Sequence, residues 1–152
     1  MSSSVSLEYL NTVLPSGTNI GFTSENGMFV LYQNQTGSVS VKGTIVSASS
    51  VANNAVSISP ANSDMPIGVI YDNGIANGQL VKVVIAGNAE VLLKNGQAST
   101  RGFWCGCSDN AGKMYQQAGV PSTSEHSREI GHSLEAKTSG TNVLALISLH
   151  FN

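Results

Sequence analysis

The chain has 152 residues, a formal net charge of −2 and only 11% charged residues, against roughly 25% in an ordinary soluble domain. Its seven Lys and Arg residues form no run, so the sequence lacks the basic patch that binds phosphate backbones or anionic lipid. Nucleic acid and membrane surfaces are therefore excluded as main partners. A hydrophobic fraction of 41% also argues against disorder. Ser, Gly, Asn and Thr supply 61 residues, which indicates a folded protein with a neutral surface rich in hydroxyl and amide groups.

The start of the chain lacks a basic stretch followed by an apolar run. No part of the sequence has about 20 consecutive apolar residues. We therefore expect no secretory signal, no membrane span and synthesis in a cytoplasm. Cys105 and Cys107 form a C-x-C pair, without the spaced pairs of a disulfide scaffold. We expect both to be reduced thiols.

Residues 1–25 are predicted to form an N-terminal arm, and residues 26–152 one β domain. Within the arm, Leu7, Leu10 and Leu14 have helical spacing, whereas Val5, Leu7 and Tyr9 alternate as in a strand. A proline ends either element at position 15. We prefer the strand, and the helix remains the alternative.

The rest of the chain is predicted to be strands and turns, because between Pro60 and Gly140 no stretch free of Gly and Pro exceeds nine residues. The last strand is the clearest, since Val143, Ala145, Ile147, Leu149 and Phe151 alternate with residues that include Ser148 and His150. Asn-Gly pairs begin at Asn26, Asn73, Asn77 and Asn95, and such pairs are typical of tight turns. These features predict an all-β fold, a compact antiparallel β-barrel or β-sandwich with an extended N-terminal arm. The candidate strands are 28–33, 38–47, 55–59, 67–71, 80–86, 89–94, 102–107 and 141–151.

Residues 122–136 allow two interpretations. Ser122 and Glu125 fit a helix-capping box, and Ile130 and Leu134 are four residues apart. However, Gly131 would weaken a helix that passed through it. We prefer a loop followed by a strand over residues 130–135.

Candidate catalytic residues are few. A Cys or Ser nucleophile needs a base, and the histidines are His126, His132 and His150. The G-x-S-x-G signature and the papain-type cysteine context are both absent. The favoured interpretation is that Cys105 is a small apolar filler in a buried strand. We expect no enzymatic activity and no cofactor.

A metal site is a weaker hypothesis. Cys105, Cys107, His126 and His132 are ligand types that zinc accepts, but C-x-C is tighter than the usual zinc knuckle. We therefore predict no metal. Glu125, Arg128 and Glu129 also cluster in an otherwise uncharged region; they could form an ion pair with a partner, although a solvated loop is the preferred interpretation.

Several segments, taken in order, resemble a known family. They are Lys42-Gly43-Thr-Ile-Val46, Pro66-Ile-Gly-Val-Ile70, Gly78 to Val91, Arg128-Glu-Ile-Gly-His-Ser-Leu-Glu135 and Val143 to Asn152. This order resembles the tailed-phage head decoration proteins, also called capsid cement or auxiliary capsid proteins, and the related head-fibre bases. The resemblance covers about 110 residues. The segment Trp104-Cys-Gly-Cys107 and the N-terminal extension depart from the family pattern.

The resemblance implies a small β-barrel or sandwich, often a homotrimer, on the outside of an icosahedral head, with the major capsid protein as its partner. It therefore implies a virion structural protein that stabilises contacts between capsid subunits. We expect the apolar arm residues Leu7, Tyr9, Leu10 and Phe22 to bind the shell; the alternative is that they pack on the domain's own core.

A rival function is a head-fibre or tail-associated adhesive module that binds host surface glycan. A glycan binder should present Phe103, Trp104 or Tyr115 to solvent as stacking platforms, whereas a cement protein should bury them.

Overall fold

A computed structural model of the chain describes residues 19–151. Within this range the protein is almost entirely β, which confirms the predicted fold class. None of the described helices has the length and apolar character needed to cross a membrane. The strands are β1 (Ile20–Phe22), β2 (Gly27–Asn34), β3 (Ile45–Ala48), β4 (Ala55–Ile58), β5 (Gly68–Ile70), β6 (Leu80–Leu92), β7 (Trp104–Cys107), β8 (Met114–Gln117), β9 (Glu129–Ser133) and β10 (Leu144–Leu149), and a four-residue helix, α1 (Thr123–His126), lies between β8 and β9.

Five strands close on themselves and form what we call the first ring. The strand order runs β2-β4-β3-β5-β6, and β6 pairs with β2 as well. The β2–β4 pair is parallel, with Gln33 opposite Ala55, whereas the other pairs of this ring are antiparallel. The purely antiparallel arrangement that the sequence predicts is therefore wrong at this pair. A chain that leaves β2 and returns as its parallel neighbour needs a connection longer than a hairpin, and residues 35–54 supply it.

The long strand β6 belongs to two sheets. Its first part pairs with β2 as far as Gly87, which lies opposite Gly27, and from Asn88 onward it pairs with β10. The order then continues β6-β10-β9-β7-β8, which we call the second sheet. A bridge from Leu93 to Met114 brings the end of β6 back to β8. The sequence predicts two strands here, 80–86 and 89–94, but Gly87 with φ of 77° bends the strand without reversing it.

The buried side chains form two clusters. The ring core comprises Val46, Val56, Ile70, Val81 and Val83. The strands β3, β5 and β6 contribute to both clusters, since neighbouring residues such as Ile45 and Val46 belong to different ones. These three strands are thus buried on both faces, which explains their continuous apolar runs. The main core also extends over the whole second sheet. The main core consists of Phe29, Ile45, Val69, Val84, Ala89, Val91, Leu93, Cys105, Cys107, Met114, Ile130, Ala145 and Ile147.

The C-terminal strand agrees with its predicted alternation. Ala145 and Ile147 are fully buried, and Val143, Leu149 and Phe151 pack against the main core. The predicted turns are also present in the expected places. In the first Asn-Gly pair, Asn26 itself has a positive φ, whereas in the other three pairs the glycine has the positive φ.

The strand predicted over residues 38–47 is wrong for most of its length, because β3 begins only at Ile45. The preceding residues form a loop that polar side chains hold in place. The Asn34 side chain donates to the Ser38 and Ile75 carbonyls at 3.0 and 2.9 Å, and the Ser40 hydroxyl donates to the Asp72 carbonyl at 2.6 Å. These bonds satisfy backbone groups that a strand would have paired.

Both interpretations of residues 122–136 are correct in part. Ser122 and Glu125 form the capping box, with Glu125 N–H donating to Ser122 Oγ at 3.3 Å and Ser122 N–H donating to Glu125 Oε2 at 2.7 Å. The helix is only four residues long, and the predicted strand follows as β9, one residue earlier than expected.

Candidate functional site

Phe22 is the one predicted shell-binding residue within the described part of the chain; Leu7, Tyr9 and Leu10 lie outside it. Phe22 lies on β1, at one end of the strand order, and is 49% exposed. Ile20 is 41% exposed on the same face, whereas Gly21 between them is buried. Among residues 19–151, β1 is an edge strand that presents two large apolar side chains. Exposed apolar surface of this kind marks interaction sites when it is contiguous.

The turn after β1 fixes the position of Phe22. Thr23 N–H donates to the Gly27 carbonyl at 2.8 Å, and Gly27 N–H donates to Thr23 Oγ1 at 3.0 Å. The boundary that the sequence places between residues 25 and 26 falls within this turn, and β1 itself pairs with β2 through Phe22 and Met28.

A charged cluster ties the same turn to β6. Lys42 Nζ lies 3.3 Å from Glu25 Oε1 and 3.6 Å from Glu90 Oε2, and 4.6 Å from the centre of the Tyr71 ring. Burial alone would lower the pKa of Lys42, but the two carboxylates outweigh it and hold that pKa above its ordinary value. With two carboxylates and one ammonium group, the cluster has a formal charge of −1 beside the exposed β1 edge.

A polar cleft of about 540 Å³ lies between α1, β8 and the neighbouring turns. Three internal contacts shape it: Lys94 Nζ to Asp109 Oδ1 at 2.7 Å, the Tyr115 hydroxyl to Glu125 Oε1 at 3.2 Å, and Arg128 Nη1 to Asn62 Oδ1 at 3.4 Å. Its cations and carboxylates balance in number. Its lining residues are Asn62, Lys94, Asn95, Gly96, Gln97, Ser108, Asp109, Tyr115, Glu125 and Arg128.

The electrostatics of the cleft follow from these contacts. A hydrogen bond from Lys94 lowers the pKa of Asp109, and bonds from the Ser122 backbone and hydroxyl lower that of Glu125. Burial, together with the adjacent Glu125 carboxylate, raises the pKa of Tyr115 to about 12. The tyrosine therefore stays a neutral hydrogen-bond donor, and the cleft offers amides, a phenol and paired charges to a neutral polar ligand.

Of the aromatic side chains that separate the two functional hypotheses, Trp104 is buried, whereas Phe103 and Tyr115 are not fully buried. Trp104 is only 5% exposed and meets Tyr115 edge-on, with ring centres 5.5 Å apart. Its indole Nε1 is buried without an acceptor among residues 19–151. Phe103 and Tyr115 are partly exposed, so Tyr115 is the aromatic residue that reaches the cleft.

The cysteines lie in the main core, as the apolar-filler interpretation predicts. Burial raises the pKa of both Cys105 and Cys107 to about 12, so both thiols are protonated at neutral pH and are poor nucleophiles. Neither joins a cluster of three or more potential metal ligands in the described range. The structure therefore does not bring together the metal set of Cys105, Cys107, His126 and His132.

A different group of potential ligands does converge, and its spacing in the sequence does not indicate this. The donor atoms of Glu129, His132 and His150 lie within 4.8 Å of one another. His150 Nδ1 is 3.2 Å from Glu129 Oε1, and His126 Nδ1 is 3.4 Å from Glu129 Oε2. Glu129, which the sequence places in a solvated loop, is 3% exposed.

The likeness of this chain to known proteins is found among solved structures. No protein-family model matches the chain, and no curated protein does either. Among solved structures, the chain is similar to the head fibre gp8.5 N base of bacteriophage phi29, with 15% sequence identity and a TM-score of 0.49. The match covers 80% of this chain and 92% of that one.

Proposed function

We propose that this protein is a virion structural protein of a tailed phage, which binds the outer surface of the icosahedral head and stabilises contacts between major capsid subunits. This proposal rests on the location of the family-like segments in the fold. They overlap β3, β5, β6, β9 and β10, which are consecutive in the strand order β3-β5-β6-β10-β9. Each segment alone is a weak motif, but together they form one contiguous block of paired strands.

The segments that depart from the family pattern support the same proposal. Trp104 to Cys107 forms β7, which lies outside the block on the β9 side. The N-terminal extension precedes β1, whose only strand partner in the described range is β2, also outside the block. A shared platform with variable flanks is expected of proteins that keep one architecture and fit it to different shells.

The exposed edge of β1 supplies a surface for shell binding. Ile20 and Phe22 offer apolar contact, and the adjacent cluster of Glu25, Lys42 and Glu90 offers fixed charge. A stable specific interface buries roughly 1,600 Å² in total, so the edge alone is too small, and the arm residues Leu7, Tyr9 and Leu10 belong to the proposed interface. A homotrimer that contacts several capsid subunits would add avidity.

The test is to add the purified chain to undecorated heads and to count bound copies and their lattice positions by cryo-electron microscopy. We expect occupancy of one class of lattice position, lower occupancy for Phe22→Ser, and unchanged occupancy for Val120→Ser. Val120 is a suitable control because it is 91% exposed and follows β8, at the other end of the strand order. Absence of binding at every lattice position would refute the proposal, and removal of residues 1–14 without loss of occupancy would reject the arm contacts.

A second candidate function, glycan binding by a head-fibre or tail-associated module, is favoured by the cleft around Tyr115. Its amides and paired charges suit sugar hydroxyls, and the partly exposed Tyr115 ring offers a stacking surface. Burial of Trp104 counts against it. Binding to arrayed glycans together with no binding to heads would favour this second function.

A further inference from the structure

The three converging ligands lie on one side of two paired strands. On β9, Glu129 lies opposite Gly106 of β7 and His132 lies opposite Trp104. Gly106 and Trp104 are two residues apart and so share a face. Glu129 and His132 therefore share a face as well, although residues three apart in a regular strand would lie on opposite faces.

A β-bulge produces this arrangement. The register between β7 and β9 shifts between Cys105 and Gly106, because Cys105 lies opposite Gly131 and Gly106 opposite Glu129. Ile130 is the extra residue, and its side chain enters the main core with no exposed surface. Bulges redirect side chains in this way and are frequent beside functional sites.

The third ligand comes from the residue after β10. His132 lies opposite Ser148, and His150 N–H donates to the Ile130 carbonyl at 2.7 Å. The two imidazole rings lie nearly parallel, at 19°, with centres 6.3 Å apart. Both histidine side chains are exposed, so they can rotate without disturbing the core, whereas the Glu129 carboxylate is fixed beneath them.

The distances suit a metal ion. Zinc binds imidazole nitrogen and carboxylate oxygen at about 2.0–2.2 Å with tetrahedral geometry, so two ligand atoms on one ion are about 3.3 Å apart. His150 Nδ1 and Glu129 Oε1 already have a separation of 3.2 Å. The His132 donor, within 4.8 Å of the other two, needs only a side-chain rotation to complete the set.

We propose that Glu129, His132 and His150 bind one divalent transition-metal ion, with zinc as the best match. Two nitrogen ligands and one oxygen ligand disfavour magnesium and calcium, which take oxygen ligands. Three protein ligands leave a fourth position open to water. The ion connects β9 to the end of β10 and so holds the last described residues of the chain against the second sheet.

The test uses the full-length chain without a polyhistidine tag, after removal of metal with a chelator. Calorimetric titration with zinc chloride should give one ion per chain, and zinc should raise the thermal unfolding temperature. His132→Ala and His150→Ala should each weaken zinc binding about 100-fold or more, since even substitutions that only support a ligand cost about 10- to 100-fold. Both side chains are exposed, so both variants should fold.

The matched comparison is His126→Gln, which removes an imidazole that contacts Glu129 Oε2 at 3.4 Å but is not one of the proposed ligands. It should weaken zinc binding less than His132→Ala or His150→Ala does. Cobalt(II) provides a second check, because its absorption spectrum should lack the thiolate charge-transfer bands that Cys105 or Cys107 would give. Absence of zinc binding, unchanged affinity in His132→Ala and His150→Ala, or an equal loss in His126→Gln would each overturn the proposal.

Discussion

Cys105 and Cys107 show how strongly position determines the chemistry of a residue in this protein. Burial is the main cause of their raised pKa values, and it outweighs the Gln116 side chain at Cys105 and the Arg128 charge at Cys107, both of which favour the thiolate. Glu129 acts in the same direction as burial at Cys105. Thiols of this kind fill space in a core, and they make folding sensitive to alkaline pH.

We predict that stability falls as pH rises above about 9. The folded-state pKa of each thiol is about 12, above its ordinary value of 9.0. A raised thiol pKa contributes stability that is fully present below pH 9.0 and is lost towards pH 12, because the unfolded chain ionises first. Chemical denaturation across this range should show a decrease of at most about 1.4 kcal/mol per pH unit for each thiol.

The Cys105→Ala, Cys107→Ala double variant isolates this contribution. Its free energy of unfolding should decline less steeply with pH than that of the wild type, although its absolute stability is lower at every pH. Tyr115 also has a pKa raised to about 12, mainly by burial and Glu125. It is present in both proteins, so most of its contribution cancels. Equal slopes would show that the thiols do not cause the alkaline loss.

At the scale of elements, alternation identified strands with one apolar and one polar face, such as β10. It missed β8, because Gln116 is buried there and makes hydrogen bonds instead of apolar contacts: its side chain donates to Ser99 Oγ and accepts from Thr100 N–H, both at 2.9 Å. The bulge in β9 hid the candidate metal ligands for a related reason. A spacing of three between Glu129 and His132 indicates opposite faces until the extra residue is known.

Gly131 is the residue on which the β9 bulge depends. Its φ is +147°, and a Cβ there would collide with the carbonyl oxygen of Ser148 on β10. We predict that Gly131→Ala destabilises the protein by about 3 kcal/mol or more, because strained backbone alone costs about 1–3 kcal/mol and the strands must also separate. Urea denaturation measures the difference.

Gly37→Ala is the matched control for this prediction. Gly37 also has a positive φ, of +86°, but a Cβ there would meet nothing within 4 Å. The free energy of unfolding of the Gly37→Ala variant should fall by only about 1 kcal/mol. Similar losses of stability in the two variants would mean that the close approach of β9 to β10 at Gly131 does not contribute to the stability of the protein.

At the scale of the whole molecule, the first ring and the second sheet share a strand and a core. The sequence indicated the all-β class through its turn residues and short apolar runs, but not this division. Two features depend on contacts between residues distant in sequence. One is the pairing of β2 with β4, and the other is the passage of β6 from one sheet to the other. No local pattern specifies them.

We predict that the two parts unfold together. Val56→Ala removes volume from the ring core and should destabilise the protein by about 2 kcal/mol. Val56 is in β4, several strands away from Trp104 in β7 in the strand order. Trp104 fluorescence should register the full loss, with a transition that coincides with that of far-UV circular dichroism. A fluorescence midpoint that stays unchanged in Val56→Ala would show that the first ring and the second sheet unfold independently.

The continuity of β6 also has a mechanical consequence. Because one covalent strand runs through both halves, a force that pulls the halves apart is carried by backbone bonds rather than by a non-covalent interface alone. The strands hydrogen-bonded along each side of β6 are then loaded in shear, so that many hydrogen bonds must break at once. A tether of this kind suits a molecule that has to withstand tension.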